Sequence, residues 1–452
     1  MSEELLSVGL DVGTTSTQMI LSRLRLENRA SAFAVPDIQI THREVLYKSP
    51  VHFTPLQSQA LVDGEGLRQL VEQEYRSAGI CRESVDTGAI IITGETSRKE
   101  NAKTVLDALS DFAGDFVVAV AGPDLESVLA AKGAGAVEHS KQTGETVLHM
   151  DIGGGTSNLA LIRAGKIVAT GCLNVGGRLV KLDENNAVTY VSPVLQGLFP
   201  VELGQVLQPA QAQQLGQLLT HALEMAAGLR PWEMPLQTLL TQEASGQIPV
   251  PEEPVTVSFS GGVADCIARE YPFGTFGDIG PVLGQCIRAS RLCRGKYLLG
   301  SETIRATVIG AGCHSTQLSG STVFYRNIRF PMKNLPVVCI SDPDQVAETN
   351  REGPRILALD SAGELSYGQI RELAQRLAPK LPQPAIVCLR RDMAKALGQA
   401  LALRMDPGAS ILCLDRVSVS EGSYLDIGAP VGGAIPVVVK TLVLGKENRR
   451  CL

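Results

Sequence analysis

Two apolar periods alternate along the chain, and each place where one gives way to the other marks an element boundary. Runs from Leu5 to Asp11, Met19 to Leu26 and Ile38 to Tyr47, separated by turn-rich stretches, predict a small antiparallel sheet. From Gly64 the period becomes helical, with Leu67, Leu70, Val71 and Ala78 on one face, and a β-run follows from Ala89 to Thr93. An amphipathic helix (Ala102, Val105, Leu106, Leu109), a buried strand (Phe116 to Ala121) and a small-residue helix (Ser127 to Gly135) complete the order βββαβαβα.

At Val147 the pattern starts again: VLHMDIGGGTSNLALIRAGKIVATGCL reads as strand, Gly-rich turn, strand, turn, strand, and so indicates an internal duplication. Pro193, Pro200, Pro209 and Pro231 then punctuate a Gln-rich helical stretch around Ala210 to Leu229, predicted to be an inserted subdomain. A strand (Val255 to Ser260), helices near 262–271 and 281–293, and a helix from Glu302 to Gly310 close the second half. Beyond Gly320 the chain reads as a mixed α/β module, with strands Ala385 to Leu389 and Ile411 to Leu414, a helix Met393 to Met405 and an apolar run Ile435 to Leu444. The expected units are 1–140, 141–320 with an insertion at 192–250, and 321–452.

Composition narrows the function classes. At 452 residues and 44% hydrophobic content the chain can bury several cores. Its 41 Lys and Arg against 47 Asp and Glu leave a net charge of -6, so neither nucleic acid nor a membrane surface is an expected partner. Ten cysteines occur without a C-x-x-C pair, which argues against a zinc site or a disulfide framework. The opening MSEELLSVGL carries acids where a secretory signal has basic residues, and no apolar run nears the roughly 18 residues of a membrane span, so the chain is expected in the cytoplasm.

Three glycine motifs carry the chemistry. In GLDVGTTST (Gly9 to Thr17) a strand ends in Asp11 and turns through Gly13, Thr14 and Thr15, whose amides can meet phosphate oxygens while Asp11 faces a hydrated Mg²⁺. DIGGGTSN (Asp151 to Asn158) repeats that arrangement about 140 residues later, with Asp151, then Gly153, Gly154, Gly155 and Thr156. Two such hairpins can face each other across a pseudo-twofold cleft and grip one triphosphate. In VSFSGGVAD (Val257 to Asp265), Gly261 and Gly262 between strand and helix would let an adenine and ribose lie against the backbone. No G-x-x-x-x-G-K-[ST] or G-x-G-x-x-G is present, and the six histidines show no metal-ligand spacing.

ESVLAAKGAG (Glu126 to Gly135) and IGAGCHST (Ile309 to Thr316) are similar to the helices that connect the halves of actin-like ATPases, completing the order phosphate, connector, phosphate, adenosine, connector. The fold class expected is therefore α/β, with duplicated actin-like (ribonuclease H-like) halves around a nucleotide cleft. With ITGETSRKENA (Ile92 to Ala102) and YLDIGAPVGGAIPVVVKTLV (Tyr424 to Val443), the chain resembles the ethanolamine ammonia-lyase reactivating factors over nearly its whole length. The resemblance implies a chaperone-like ATPase that uses ATP and Mg²⁺ to release damaged cobalamin from inactivated ethanolamine ammonia-lyase and admit intact adenosylcobalamin. It implies Asp11 and Asp151 at Mg²⁺, Gly13, Thr14, Thr15, Gly153, Gly154, Gly155 and Thr156 at the phosphates, and Gly261 and Gly262 at adenosine. For the water-orienting carboxylate it points to Glu126, with Glu95 as second choice. No D-x-H-x-x-G pattern is present, so no cobalamin site of its own is expected. A homodimer and residence in a bacterial microcompartment stay open. A sugar or polyol kinase and an actin-like structural ATPase are the alternatives.

Overall fold

The computed structural model describes residues 3–13, 16–29, 38–58, 61–92, 109, 117–120, 123–241, 255–300, 302–314, 316–319, 322–348, 353–359, 365–417, 419, 423–430 and 434–441. The first sheet is built from β1 (Glu3–Val12), β2 (Ser16–Asn28), β3 (Ile38–Lys48), β4 (His52–Phe53), β5 (Thr87–Ile92) and β6 (Val117–Val120). Its order is β3-β2-β1-β5-β6: β1, β2 and β3 form an antiparallel meander, and β5 and β6 run parallel to β1. Every residue of β5 is buried, because a central parallel strand is covered on both faces and needs no polar alternation. Helix α1 (Gly64–Ser77) starts where the Asp63 carboxylate caps the Gly66 amide, and lays Leu67, Val71 and Tyr75 on the sheet.

The second half repeats that plan. Its strands are β7 (Val147–Ile152), β8 (Ser157–Arg163), β9 (Lys166–Leu173), the separate pair β10 (Val180–Leu182) and β11 (Val188–Val191), then β12 (Thr256–Ser260) and β13 (Tyr297–Leu299). The sheet order β9-β8-β7-β12-β13 matches the first strand for strand, with β12 and β13 parallel to β7. Between the halves run α2 (Pro123–Gly133) and α3 (Ala136–Thr143); then come α4 (Pro209–Ala226), α5 (Met234–Leu239), α6 (Gly262–Ala268), α7 (Gly280–Ala289) and α8 (Ala306–His314).

Among the described residues, the helix of the Gln-rich stretch shares the core of the second half. Ala212, Leu215, Leu219 and Leu223 of α4 share one apolar cluster with Leu148, Met150, Val257 and Phe259 of the second sheet, so the apolar face beneath its glutamines belongs to this half. The last helix of this half is also displaced from its expected span of 302–310: residues 302–305 are bends and turns, and α8 continues through Gly310 and Gly312. Glycine does not break it there because the helix is packed rather than exposed.

The remaining strands, β14 (Thr316–Ser319), β15 (Phe324–Arg326), β16 (Met332–Ile340), β17 (Ile356–Leu359), β18 (Ala385–Leu389), β19 (Ile411–Asp415), β20 (Ser423–Ile427) and β21 (Ile435–Thr441), form an eight-stranded mixed sheet. Its parallel core β16-β17-β18-β19 is covered by α9 (Tyr367–Leu377) and α10 (Ala394–Ala402). Leu318 of β14 packs against the Leu5, Leu24 and Leu26 cluster of the first sheet and so joins this module to the first half. Among the described residues no helix is long and apolar enough to cross a membrane.

Candidate nucleotide and metal site

The two connector helices α2 and α8 cross at backbone contact distance. A Cβ on Gly133 would overlap the Ala306 carbonyl oxygen, and one on Gly310 would overlap that of Leu129, so each glycine is required by the other helix. Helix α8 also lies flush on β1, where a Cβ on Gly9 would stand 2.6 Å from the Val308 oxygen. The Arg43 Nε donates to the Cys313 carbonyl at 2.8 Å and satisfies an end of the helix that no intrahelical donor reaches.

This crossing brings three carboxyl groups together. Asp11 ends β1, Asp151 ends β7, and Glu126 occupies the first turn of α2. The Glu126 carboxyl is pushed well above the usual carboxylate range, first by desolvation, then by the negative charges of Asp11 and of Asp151; a hydrogen bond from Asn158 opposes the shift. Both acids are therefore within electrostatic reach of one group. Glu126 is half-buried and Asp151 is 7% exposed. Burial raises Asp151 to about 6, against the pull of Ser260 and Thr307, whose hydroxyls donate to its Oδ1 and, at 3.4 Å, its Oδ2.

The two hairpin turns share one closing bond. The Gly13 amide donates to the Ser16 carbonyl and the Gly153 amide to the Thr156 carbonyl, each at 2.9 Å. These two amides are spent in closing the turns, which corrects the expectation that they would meet phosphate. Gly154, Gly155 and Thr156 have no backbone N–H partner among the described residues. Behind the turn, the Gly177 and Arg178 amides donate to the Gly153 and Gly154 carbonyls at 3.0 and 2.6 Å, fixing the carbonyl side inward. Thr14, Thr15 and Glu95 lie outside the described residues. Of the adenosine pair, Gly261 is explained by its own fold: it has φ +87°, and a Cβ would overlap the Ile152 carbonyl. Only Gly262 faces open space.

Sequence reasoning missed a symmetric pair of amides. Gln18 stands across β2 from Asp11, and Asn158 across β8 from Asp151. Both are buried, and the Gln18 Oε1 and Asn158 Oδ1 atoms have no hydrogen-bond partner among the described residues. A buried acceptor left unmet is costly, so each calls for a donor. The repeated spacing, seven residues after each aspartate, was the available signal. Arg178 was missed as well: its stem lies against Gly154 and its Nε donates to the buried Asp278 at 3.2 Å.

This donor set suits a hard, hydrated cation. It offers carboxylate and amide oxygens only, as Mg²⁺ prefers, and its orphaned acceptors match metal-bound water rather than direct ligation. Among the described residues no three His, Cys, Asp or Glu side chains stand close enough to hold one ion directly. The cavity of about 760 Å³ between α9 and α10, lined by Tyr367, Arg371, Leu403 and Arg404, is remote from this chemistry.

Two halves of one topology, each ending in an aspartate-tipped glycine hairpin and joined by crossed glycine-bearing helices, define the actin-like ATPase fold class. Within that class the chain belongs to the family described as "Ethanolamine utilisation protein EutA", whose model matches residues 3–445. It is 39% identical to the ethanolamine ammonia-lyase reactivase EutA of Salmonella typhimurium, and 39% identical to that of Escherichia coli, in each case over 98% of this chain and 99% of the relative. Among solved structures, an Aquifex aeolicus PPX-GPPA enzyme covers 68% of this chain and 99% of its own at 11% identity and a TM-score of 0.42.

Proposed function

We propose that this chain is an ATP-dependent reactivating factor that loosens inactivated ethanolamine ammonia-lyase, so that damaged cobalamin leaves and intact adenosylcobalamin binds. The observation that carries the reading is the meeting of Asp11, Asp151 and Glu126 where the two halves join, in a member of the EutA family. The relatives' printed name, ethanolamine ammonia-lyase reactivase, supplies the partner.

In this reading Asp11 and Asp151, with the Gln18 and Asn158 amide oxygens, hold a hydrated Mg²⁺ in the cleft between the halves. When bound, that ion neutralises charge on the phosphates. The amides of Gly154, Gly155 and Thr156 bind phosphate oxygens, and Thr14 and Thr15 are assigned the same role. Gly262 leaves room for adenosine. Glu126 accepts a proton from the attacking water as its oxygen bonds to the γ-phosphorus and the bond to ADP breaks. Nucleotide state would bias the two halves between open and closed forms of different affinity for the lyase, and hydrolysis gives the cycle a direction.

The test mixes the chain, ATP, Mg²⁺ and intact adenosylcobalamin with cyanocobalamin-blocked ethanolamine ammonia-lyase. Recovery of lyase activity that needs ATP, together with ATP turnover in the absence of any sugar, is expected. Turnover only with a sugar or polyol, and no recovery, would make the chain a kinase instead.

A further inference from the structure

His149 lies two residues before Asp151 on β7 and is fully buried. In the parallel pairing of β12 with β7, Ser258 stands opposite His149 and Ser260 opposite Asp151. The His149 Nδ1 is 3.1 Å from the Ser258 hydroxyl, its Nε2 is 2.9 Å from the Ser260 hydroxyl, and that same hydroxyl bonds to Asp151 Oδ1. Four side chains thus form one buried line ending on the acid.

The protons in this line have one arrangement. An ionised Asp151 can only accept, so the Ser260 proton points at Oδ1. The Ser260 oxygen must then accept from His149, which requires the Nε2–H tautomer. Nδ1 is left as an acceptor for the Ser258 hydroxyl. Each group is satisfied, and Oδ1 is occupied from within the protein while Oδ2 keeps only the long contact to Thr307.

We propose that His149 is a positioning residue for the metal: acting through Ser260, it fixes the rotation of Asp151 so that Oδ2 is presented to hydrated Mg²⁺. The inference rests on the nucleotide-site reading above. A histidine buried only for packing would not need this arrangement, since Val147, on the same face of β7, fills its place with an apolar group packed on Ala131, Ala160 and Ile162. The first half also lacks the device. There Gly9 stands two residues before Asp11, and Ile91 stands opposite Asp11 in the parallel neighbour. An outer partner that orients a metal-binding carboxylate typically contributes about 10- to 100-fold in metal affinity.

Two measurements on the full chain decide it. Ring ¹⁵N spectra of the nucleotide-free protein should show His149 as the Nε2–H tautomer. In calorimetric titrations with ADP, His149→Phe should raise the Mg²⁺ concentration needed for tight binding by about 10-fold or more. His149→Gln, whose amide both donates and accepts, should recover most of that loss, and ADP binding in EDTA should be alike in all three proteins. The Nδ1–H tautomer, or a folded His149→Phe protein with wild-type Mg²⁺ dependence, would overturn the proposal. Should His149→Phe not fold, Ser260→Ala must show the same rise in Mg²⁺ requirement, and wild-type behaviour there refutes it equally. If wild-type protein binds no Mg·ADP, the site reading itself fails and the positioning role falls with it, whatever tautomer is seen.

Discussion

Asp11 and Asp151 end equivalent strands of equivalent sheets, yet the first is half-exposed and the second is 7% exposed. Asp151 is held by Ser260 and Thr307; in the first half the residue opposite Asp11 in the parallel neighbour is the apolar Ile91. The connectors differ in the same way. Gly133 and Gly310 contact each other's helices reciprocally, and seven residues upstream of them stand Glu126, in the first turn of α2, and Thr303, in the bend before α8. Glu126 meets both aspartates, whereas Thr303 turns away to donate to Asp265. In the proposed reading, duplication supplies two matching grips on one ligand, and departures from it divide the roles, with Glu126 as the base and Asp151 as a buried metal carboxylate held by Ser260 and Thr307.

The largest effect should come from the position where the halves differ in chemistry. Glu126→Gln should lower ATP turnover by about 100- to 10,000-fold with Mg-nucleotide binding kept, as expected for loss of a general base; Thr303→Val, at the same sequence distance from Gly310, should leave turnover within about 10-fold. Steady-state ATPase assays with calorimetric binding check both. Where the halves agree, the effect is on folding. Gly310→Ala should cost about 3 kcal/mol by forcing the helices apart, while Gly295→Ala, which faces open space, should be neutral within about 0.5 kcal/mol in denaturant melts.

A subtler difference is pH-dependent. Folding raises the Asp151 carboxyl to about 6, above its ordinary 3.8, so the cost of ionising it is present above about pH 6 and vanishes as the pH falls towards 3.8. That cost is about 3 kcal/mol at most. Nucleotide-free Asp151→Asn should therefore melt above wild type at pH 7.5, and the gap should shrink to about a third by pH 4.5. The smallest effect lies far from the ligand. Lys296, His139 and Thr256 hold Glu145 at about 2, so its contribution to stability is full above its ordinary 4.5 and is lost as the pH falls through about 2. Glu145→Gln should lower Tm slightly at pH 7, and the gap to wild type should close as the pH falls towards about 2.

Much of this contrast was legible in the chain. Strands β1, β2, β3, β7, β8 and β12, and helix α1, follow their apolar periods, and the two aspartate hairpins announce themselves by repetition. Burial partners were harder, because nothing in DIGGGTSN says that Asn158 rather than Ser157 faces Asp151; only pairing across β8 does. At Gly261 the sequence could not show that the missing Cβ also makes room for the Ile152 backbone, a contact between distant strands. Helix α9 was overlooked although Ser366 and Gln369 form a readable capping box. Strand β16 was hidden by Lys333, Asn334 and Pro336, residues that local propensity assigns to a loop and that the register irregularity there accommodates.

The central claim is that residues 11 and 151, one from each half, act on a single Mg-nucleotide. A double-mutant cycle of Asp11→Asn and Asp151→Asn, read by Mg·ADP calorimetry, measures this directly. The account predicts strong non-additivity, with the double variant binding about as weakly as either single one. Additive losses, or a loss in one variant alone, would mean that the two hairpins do not share a ligand.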